Sequence, residues 1–231
     1  MEFLLILALL LFSITRSCCL EGNGTHSDVL APQEVRFVSL DYKNILHWKQ
    51  HANSTNNQQY YVQWKVYGKK HWTKAAKCQG IRRLHCDLSQ ETSDPREWYY
   101  ARVLAAHSGF HSPWVLTARF NPKWETSVSP PTVKLRVTEK GIVVQLKPPR
   151  SAHRRLNGSW ISMRRLQRMS YTVYIMHNDV DQKTLEIESC AKQFLISDLS
   201  RRTTYCLQAE SRLHLLDRRS PLSPKACVTT L

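Results

Sequence analysis

From Tyr60 to Tyr67 the chain alternates without a break, with Tyr60, Val62, Trp64 and Val66 on one side and Tyr61, Gln63, Lys65 and Tyr67 on the other. Successive side chains of an extended backbone face opposite ways, so this period of two specifies a half-buried strand. A helix would bring its apolar positions back every three or four residues. One strand cannot bury its apolar side alone, and it must sit in a sheet packed against a second layer.

Similar segments run from Asn44 to Lys49, Ile81 to Leu88, Trp98 to Ala106 and Val115 to Phe120. Turn signals at Asp94-Pro95, Ser108-Gly109 and Ser112-Pro113 punctuate them. The pattern returns from Val133 to Val137, Gly141 to Leu146, Tyr171 to Met176, Gln193 to Ile196, Thr204 to Glu210 and Cys227 to Thr229. A chain of 231 residues suits two domains rather than one. The expectation is an all-β protein of two sandwiches, over residues 30–121 and 132–231. Between them, Pro122, Pro130 and Pro131 favour an extended connector over residues 122–131. The stretch from Pro148 to Ser170 reads as a long loop, too rich in arginine to be core.

The apolar run from Phe3 to Ile14 is short for a membrane span and suits a cleaved leader over residues 1–20, with Ser17 and Cys19 ahead of a cut at Leu20. No later run reaches bilayer length, so membrane insertion is not expected and a secreted, extracellular protein is. With Cys18 and Cys19 assigned to the leader, Cys78 and Cys86 form one close pair and Cys206 and Cys227 another, as local staples in each half. Cys190 is left as an idle or buried thiol, or one that pairs between molecules. Sequons at Asn23, Asn53 and Asn157 mark candidate glycosylation sites and agree with secretion.

Catalytic signatures do not occur: the chain has no Gly-x-Ser-x-Gly, no His-Glu-x-x-His and no glycine-rich phosphate loop. Its histidines and cysteines lack zinc-ligand spacing, so neither a metal nor a cofactor is expected. Lysine and arginine number 33 against 18 acidic residues, a formal charge of +15. Such a field favours acidic partners. In an extracellular setting these are acidic protein surfaces or heparan sulfate rather than nucleic acid, and the alternative is a solvated basic surface.

The segments Asn44-Ile45-Leu46-His47-Trp48, Tyr61 through Gly68, Cys86-Asp87-Leu88, Glu91-Thr92-Ser93-Asp94, Tyr99 through Val103, Ser112-Pro113-Trp114 and Thr117 through Phe120 together resemble class II cytokine receptor ectodomains. The resemblance implies two tandem fibronectin type III (immunoglobulin-like) sandwiches, one small disulfide in the first and another near the end of the second. Both cysteine pairs fit that plan. It also implies a helical class II cytokine as partner, interleukin-22 foremost, gripped by loops at the elbow between the sandwiches. Those loops correspond here to residues 67–70, 92–97, 108–111, 163–168 and 213–219. The contact residues expected within them are Tyr67, Gly68, Lys69, Lys70, Phe110, Arg165, Leu215 and Leu216, with Tyr67 as the anchor. Arg164, Arg165 and Arg168 depart from the family's acidic and aromatic residues there. Trp48, Trp64, Tyr99 and Tyr100 are expected in the core, and Trp114 with Arg102 and Arg119 in a stacked cation–π group. The implied role is a soluble decoy that occludes the cytokine. The alternatives are a heparan-sulfate-binding adhesion module and the anchorless splice form of a membrane receptor.

Overall fold

The computed structural model describes residues 30–52, 57–178, 180–188, 190–191 and 193–231. The leader over residues 1–20, with Cys18 and Cys19, and the sequons at Asn23 and Asn53 lie outside the described residues.

The first half contains β1 (Gln33–Leu40), β2 (Lys43–Lys49), β3 (Gln59–Val66), β4 (Thr73–Lys74), β5 (His85–Asp87), β6 (Tyr99–His107), β7 (Phe110–His111) and β8 (Val115–Leu116). Strands β1, β2 and β5 form one antiparallel sheet; β4, β3, β6 and β7 form the other, with β8 also on β6. Alternation sends Leu46 and Trp48 from one sheet, and Tyr60, Val62, Ala101, Val103 and Ala105 from the other, into a shared core. The strand expected from Ile81 to Leu88 is shorter, because Ile81 makes only an isolated bridge to Tyr60 before the chain crosses to β5. Cys78 follows β4 of one sheet and Cys86 lies in β5 of the other, and their disulfide joins the two layers.

The second half contains β9 (Thr132–Thr138), β10 (Gly141–Lys147), β11 (Arg150–Arg154), β12 (Trp160–Ser162), β13 (Met169–His177), β14 (Val180–Glu188), β15 (Gln193–Ile196), β16 (Thr204–Leu213), β17 (Arg218–Arg219) and β18 (Ala226–Thr229). A β15-β10-β9 sheet faces a sheet built on β14, β13 and β16, with β17 and β18 also on β16. Ile142, Val144, Tyr171, Val173, Leu207 and Ala209 fill the space between. Cys206 and Cys227 are direct cross-strand partners and are disulfide-bonded. Cys190 is an exposed free thiol.

Two expectations about the middle of the chain need correction. Residues 122–131 are not wholly extended, since Pro122–Glu125 forms a helical turn, α1. Asn121 caps it by accepting from the backbone of Lys123 and Trp124, and Glu125 accepts from the Asn121 backbone in return. The basic stretch after Pro148 is a β11–β12 hairpin followed by a 3-10 turn, and its Met163 is completely buried in the second core.

The halves are joined through the β1–β2 turn. Asp41 and Tyr42 both take left-handed backbone angles, φ +51° and +63°, the pair that a tight hairpin turn requires. This aims the Tyr42 ring out of its own sandwich into the core of the second, where it is only 1% exposed. Its hydroxyl accepts from Gln167 Nε2 at 2.9 Å and its backbone N–H donates to Thr126 Oγ1 at 2.9 Å. Asp41 is equally engaged: its backbone donates to the Ser127 carbonyl, its carbonyl accepts from Ala152 and its carboxylate accepts from the Ser129 N–H. Burial pushes the Asp41 carboxyl and the Tyr42 hydroxyl above their ordinary values, against the hydrogen bonds from Ser129 and Gln167.

Candidate functional site

Around this junction several loops meet. The backbone N–H of Tyr67 donates to the Trp98 carbonyl, and the Asn121 side-chain amide donates to the carbonyls of Pro95 and Glu97. These bonds set the turn after β3 and the loop before β6 beside α1. From the other side Gln167 donates to the Lys123 carbonyl and Arg218 to the Thr126 carbonyl. The His214 N–H donates to the Arg168 carbonyl, joining the loops on either side of β13 and β16. The segments 67–70, 92–97, 163–168 and 213–219 thus form one elbow surface.

Tyr67 is held on that surface without being buried. A hydrogen bond from the Lys69 N–H to the Val66 carbonyl closes the turn, and Gly68 occupies its left-handed position at φ +82°. The Tyr67 ring stays 55% exposed. It lies 6.1 Å from the Tyr100 ring and 5.3 Å from the Arg119 guanidinium, which also covers Trp98 at 4.3 Å. An aromatic ring fixed in this way offers contact area at little further entropic cost. Lys69, Lys70 and Arg165 are exposed, and Leu215 and Leu216 project at the tip after β16 as exposed apolar side chains. The elbow carries both signs of charge: Arg96 grips Asp94 through two bonds, and Arg212 pairs with Asp217. Those guanidinium bonds hold the Asp94 carboxyl at about 2 and the Asp217 carboxyl below its usual range.

Phe110 is not part of this surface. Val66 pairs with Tyr99 at one end of the β3–β6 ladder, whereas Phe110 pairs with His107 at the other. At roughly 3.3 Å per residue that places Phe110 more than 20 Å from Tyr67 along the strand. The reason is topological: β3 and β6 are antiparallel neighbours, so the turns that follow them point in opposite directions. Thr92 is also withdrawn, fully buried between Asn44 and the Leu88 carbonyl.

The expected cation–π group is divided. Arg102 lies between Trp114 and Trp72, 4.4 and 4.3 Å from the ring centres, while Arg119 turns to Trp98 and Tyr67. Trp98 and Trp72 carry no signal that separates them from core tryptophans in the sequence. Trp48 and Tyr99 are buried and Trp64 packs against the first core, whereas Tyr100, the next residue along β6, alternates to the other face and is only half-buried beside Tyr67. Among the described residues no His, Cys, Asp and Glu side chains cluster as a metal site, and no helix is long and apolar enough to cross a membrane. Asn157 is exposed at the tip of the β11–β12 hairpin.

Comparison with known proteins agrees with this architecture. Residues 3–114 match the family model described as tissue factor, and residues 126–231 match that of the interferon-alpha/beta receptor, fibronectin type III. Interleukin-22 receptor subunit alpha-2 of Mus musculus is 38% identical over 200 residues, covering 86% of this chain and 87% of that one. The Homo sapiens protein of the same name is 31% identical over 90% of this chain and 91% of its own. Interleukin-20 receptor subunit alpha of Mus musculus is 35% identical over 87% of this chain but 37% of its own. A crystal structure of the chicken interferon gamma receptor alpha chain superposes with a TM-score of 0.66 at 21% identity, covering 87% of this chain and 98% of that one. These matches, two fibronectin type III sandwiches and the two disulfides together place the chain in the class II cytokine receptor family, whose members bind rather than catalyse.

Proposed function

We propose that the chain is a secreted receptor that binds interleukin-22 at the elbow and withholds it from membrane receptors. The observation that carries this is the similarity to interleukin-22 receptor subunit alpha-2, 38% identical and spanning 87% of that protein. The decoy role draws support from relative lengths: this two-sandwich unit makes up most of the alpha-2 relatives but 37% of the interleukin-20 receptor relative. Occlusion needs no chemistry beyond a complementary surface, and the Tyr67 ring with the Leu215–Leu216 tip supplies apolar anchors within a charged rim. Surface plasmon resonance against interleukin-22 should show saturable binding, and added protein should suppress interleukin-22 signalling in receptor-bearing cells. Absence of binding overturns the ligand; binding without suppression overturns the decoy role.

A second reading, heparan sulfate binding, is favoured by the exposed arginines Arg150, Arg154, Arg155, Arg165 and Arg168 on and beside the β11–β12 hairpin. Retention on heparin that falls steeply with salt supports it, and elution at the salt of weak ion exchange removes it.

A further inference from the structure

The outer face of the β1-β2-β5 sheet is incompletely covered. Val38 sits opposite Ile45, and Leu40 opposite Lys43, on the side away from the first core. Val38 and Leu40 are each 47% exposed although they stand on a regular strand. The β11–β12 hairpin of the second half closes one side of this face, and the two enclose a cleft of about 920 Å³. Its floor and wall are Val38, Leu40, Ile45, Ala152 and Trp160, and its rim carries hydrogen-bonding groups such as Lys43, Gln90 and Glu91. The Trp160 indole is stacked on one side by the Arg154 guanidinium at 3.7 Å, yet remains 42% exposed. An apolar floor, an open indole and a polar rim are the features that bind a sugar: carbohydrate C–H faces pack on the ring and hydroxyls bond at the edge.

The sequence supplies such a ligand beside this wall. Asn157-Gly158-Ser159 occupies the turn of the hairpin whose strands bear Arg154 and Trp160, three residues from the indole. Asn157 is exposed, and its amide oxygen accepts from both the N–H and the hydroxyl of Ser159, at 3.1 and 2.7 Å. We propose that Asn157 carries an N-linked glycan whose first sugars lie in this cleft, over Trp160, Leu40 and Val38. In the linkage step the Asn157 amide nitrogen bonds to the anomeric carbon of a lipid-linked oligosaccharide. The lipid pyrophosphate departs and the amide gives up one proton. The glycan then covers apolar surface at the joint and fills the space between the two sandwiches on the side away from the first core. This proposal rests on the secretory part of the function given above.

The test uses protein secreted from mammalian cells. Glycopeptide mass spectrometry should find Asn157 occupied, and 8-anilinonaphthalene-1-sulfonate fluorescence should rise several-fold in N157Q and in S159A. It should not rise in N53Q, and Leu40→Ser in the N157Q background should abolish the gain. An unoccupied Asn157 beside an occupied Asn53 overturns the proposal and leaves secretion standing, whereas absence of glycan at all three sequons counts against secretion as well. An occupied Asn157 with equal dye binding in wild type and N157Q overturns the placement in the cleft. Dimerisation of the wild-type protein that Leu40→Asp abolishes makes the face a contact between copies and overturns it too.

Discussion

Two turns of the first sandwich are chemically almost the same. Tyr67 precedes Gly68 at φ +82°, and Phe110 follows Gly109 at φ +83°; the two rings are 55% and 56% exposed. What separates them is the β6 strand, which carries one at the elbow and the other at the far end. Tyr67 is braced by Arg119 and bonded to the loop before β6, whereas Phe110 pairs with His107 at the opposite end of that strand. An exposed aromatic next to a glycine therefore marks a candidate contact only when the topology brings other candidates to it.

The largest expected effect comes from breaking the junction that gives Tyr67 its neighbours. Tyr42→Ala removes a fully buried ring and should lower stability by about 3–5 kcal/mol in urea denaturation, as for other large aromatic deletions. Hydrogen exchange should accelerate around residues 163–168 in this variant and remain unchanged at residues 108–111. Next, Tyr67→Ala should weaken interleukin-22 binding by about 2 kcal/mol or more, some 30-fold, while Phe110→Ala stays within about threefold. Equal losses in the two variants would dissolve the distinction.

Gly68→Ala and Gly109→Ala should each cost about 1–2 kcal/mol of thermal stability, because an added Cβ meets nothing within 4 Å in either and only the left-handed backbone resists it. Affinity should fall in the first alone. The smallest effect concerns Asp94 on the elbow side. Hydrogen bonds from the Arg96 side chain and backbone hold its carboxyl at about 2. A depressed carboxyl contributes fully above its unfolded value and loses that contribution as pH falls through about 2. An NMR titration should therefore find Asp94 still charged at about pH 4, where a free aspartate is half protonated.

Strands with an apolar face were legible in the sequence, since Tyr60 to Val66 or Tyr171 to Ile175 reveal themselves by alternation alone. The β11–β12 hairpin was not, because Arg150 to Arg154 has no apolar face and is fixed in part by the bond from Ala152 to Asp41 in the other half. β14 is also obscure, as an edge strand paired only with β13 and with Asp, Lys or Glu at four of its nine positions. Of the site, the residue types were readable and their grouping was not. Antiparallel pairing of β3 with β6 would have separated Phe110 from Tyr67, but pairing is a long-range property. No local signal shows that Tyr42 adopts a left-handed angle and leaves its own core.

That departure makes the two halves unequal when they are separated. A fragment from α1 onward would have a tyrosine-sized hole where Tyr42 belongs, with the Gln167 amide deprived of its hydroxyl partner. The first sandwich alone would lose nothing from its own core and would merely display one more aromatic ring to water. The second core thus borrows a ring from the first half while the first core borrows none in return, so exchanging the first sandwich for a relative's would require the donor to bring its own plug.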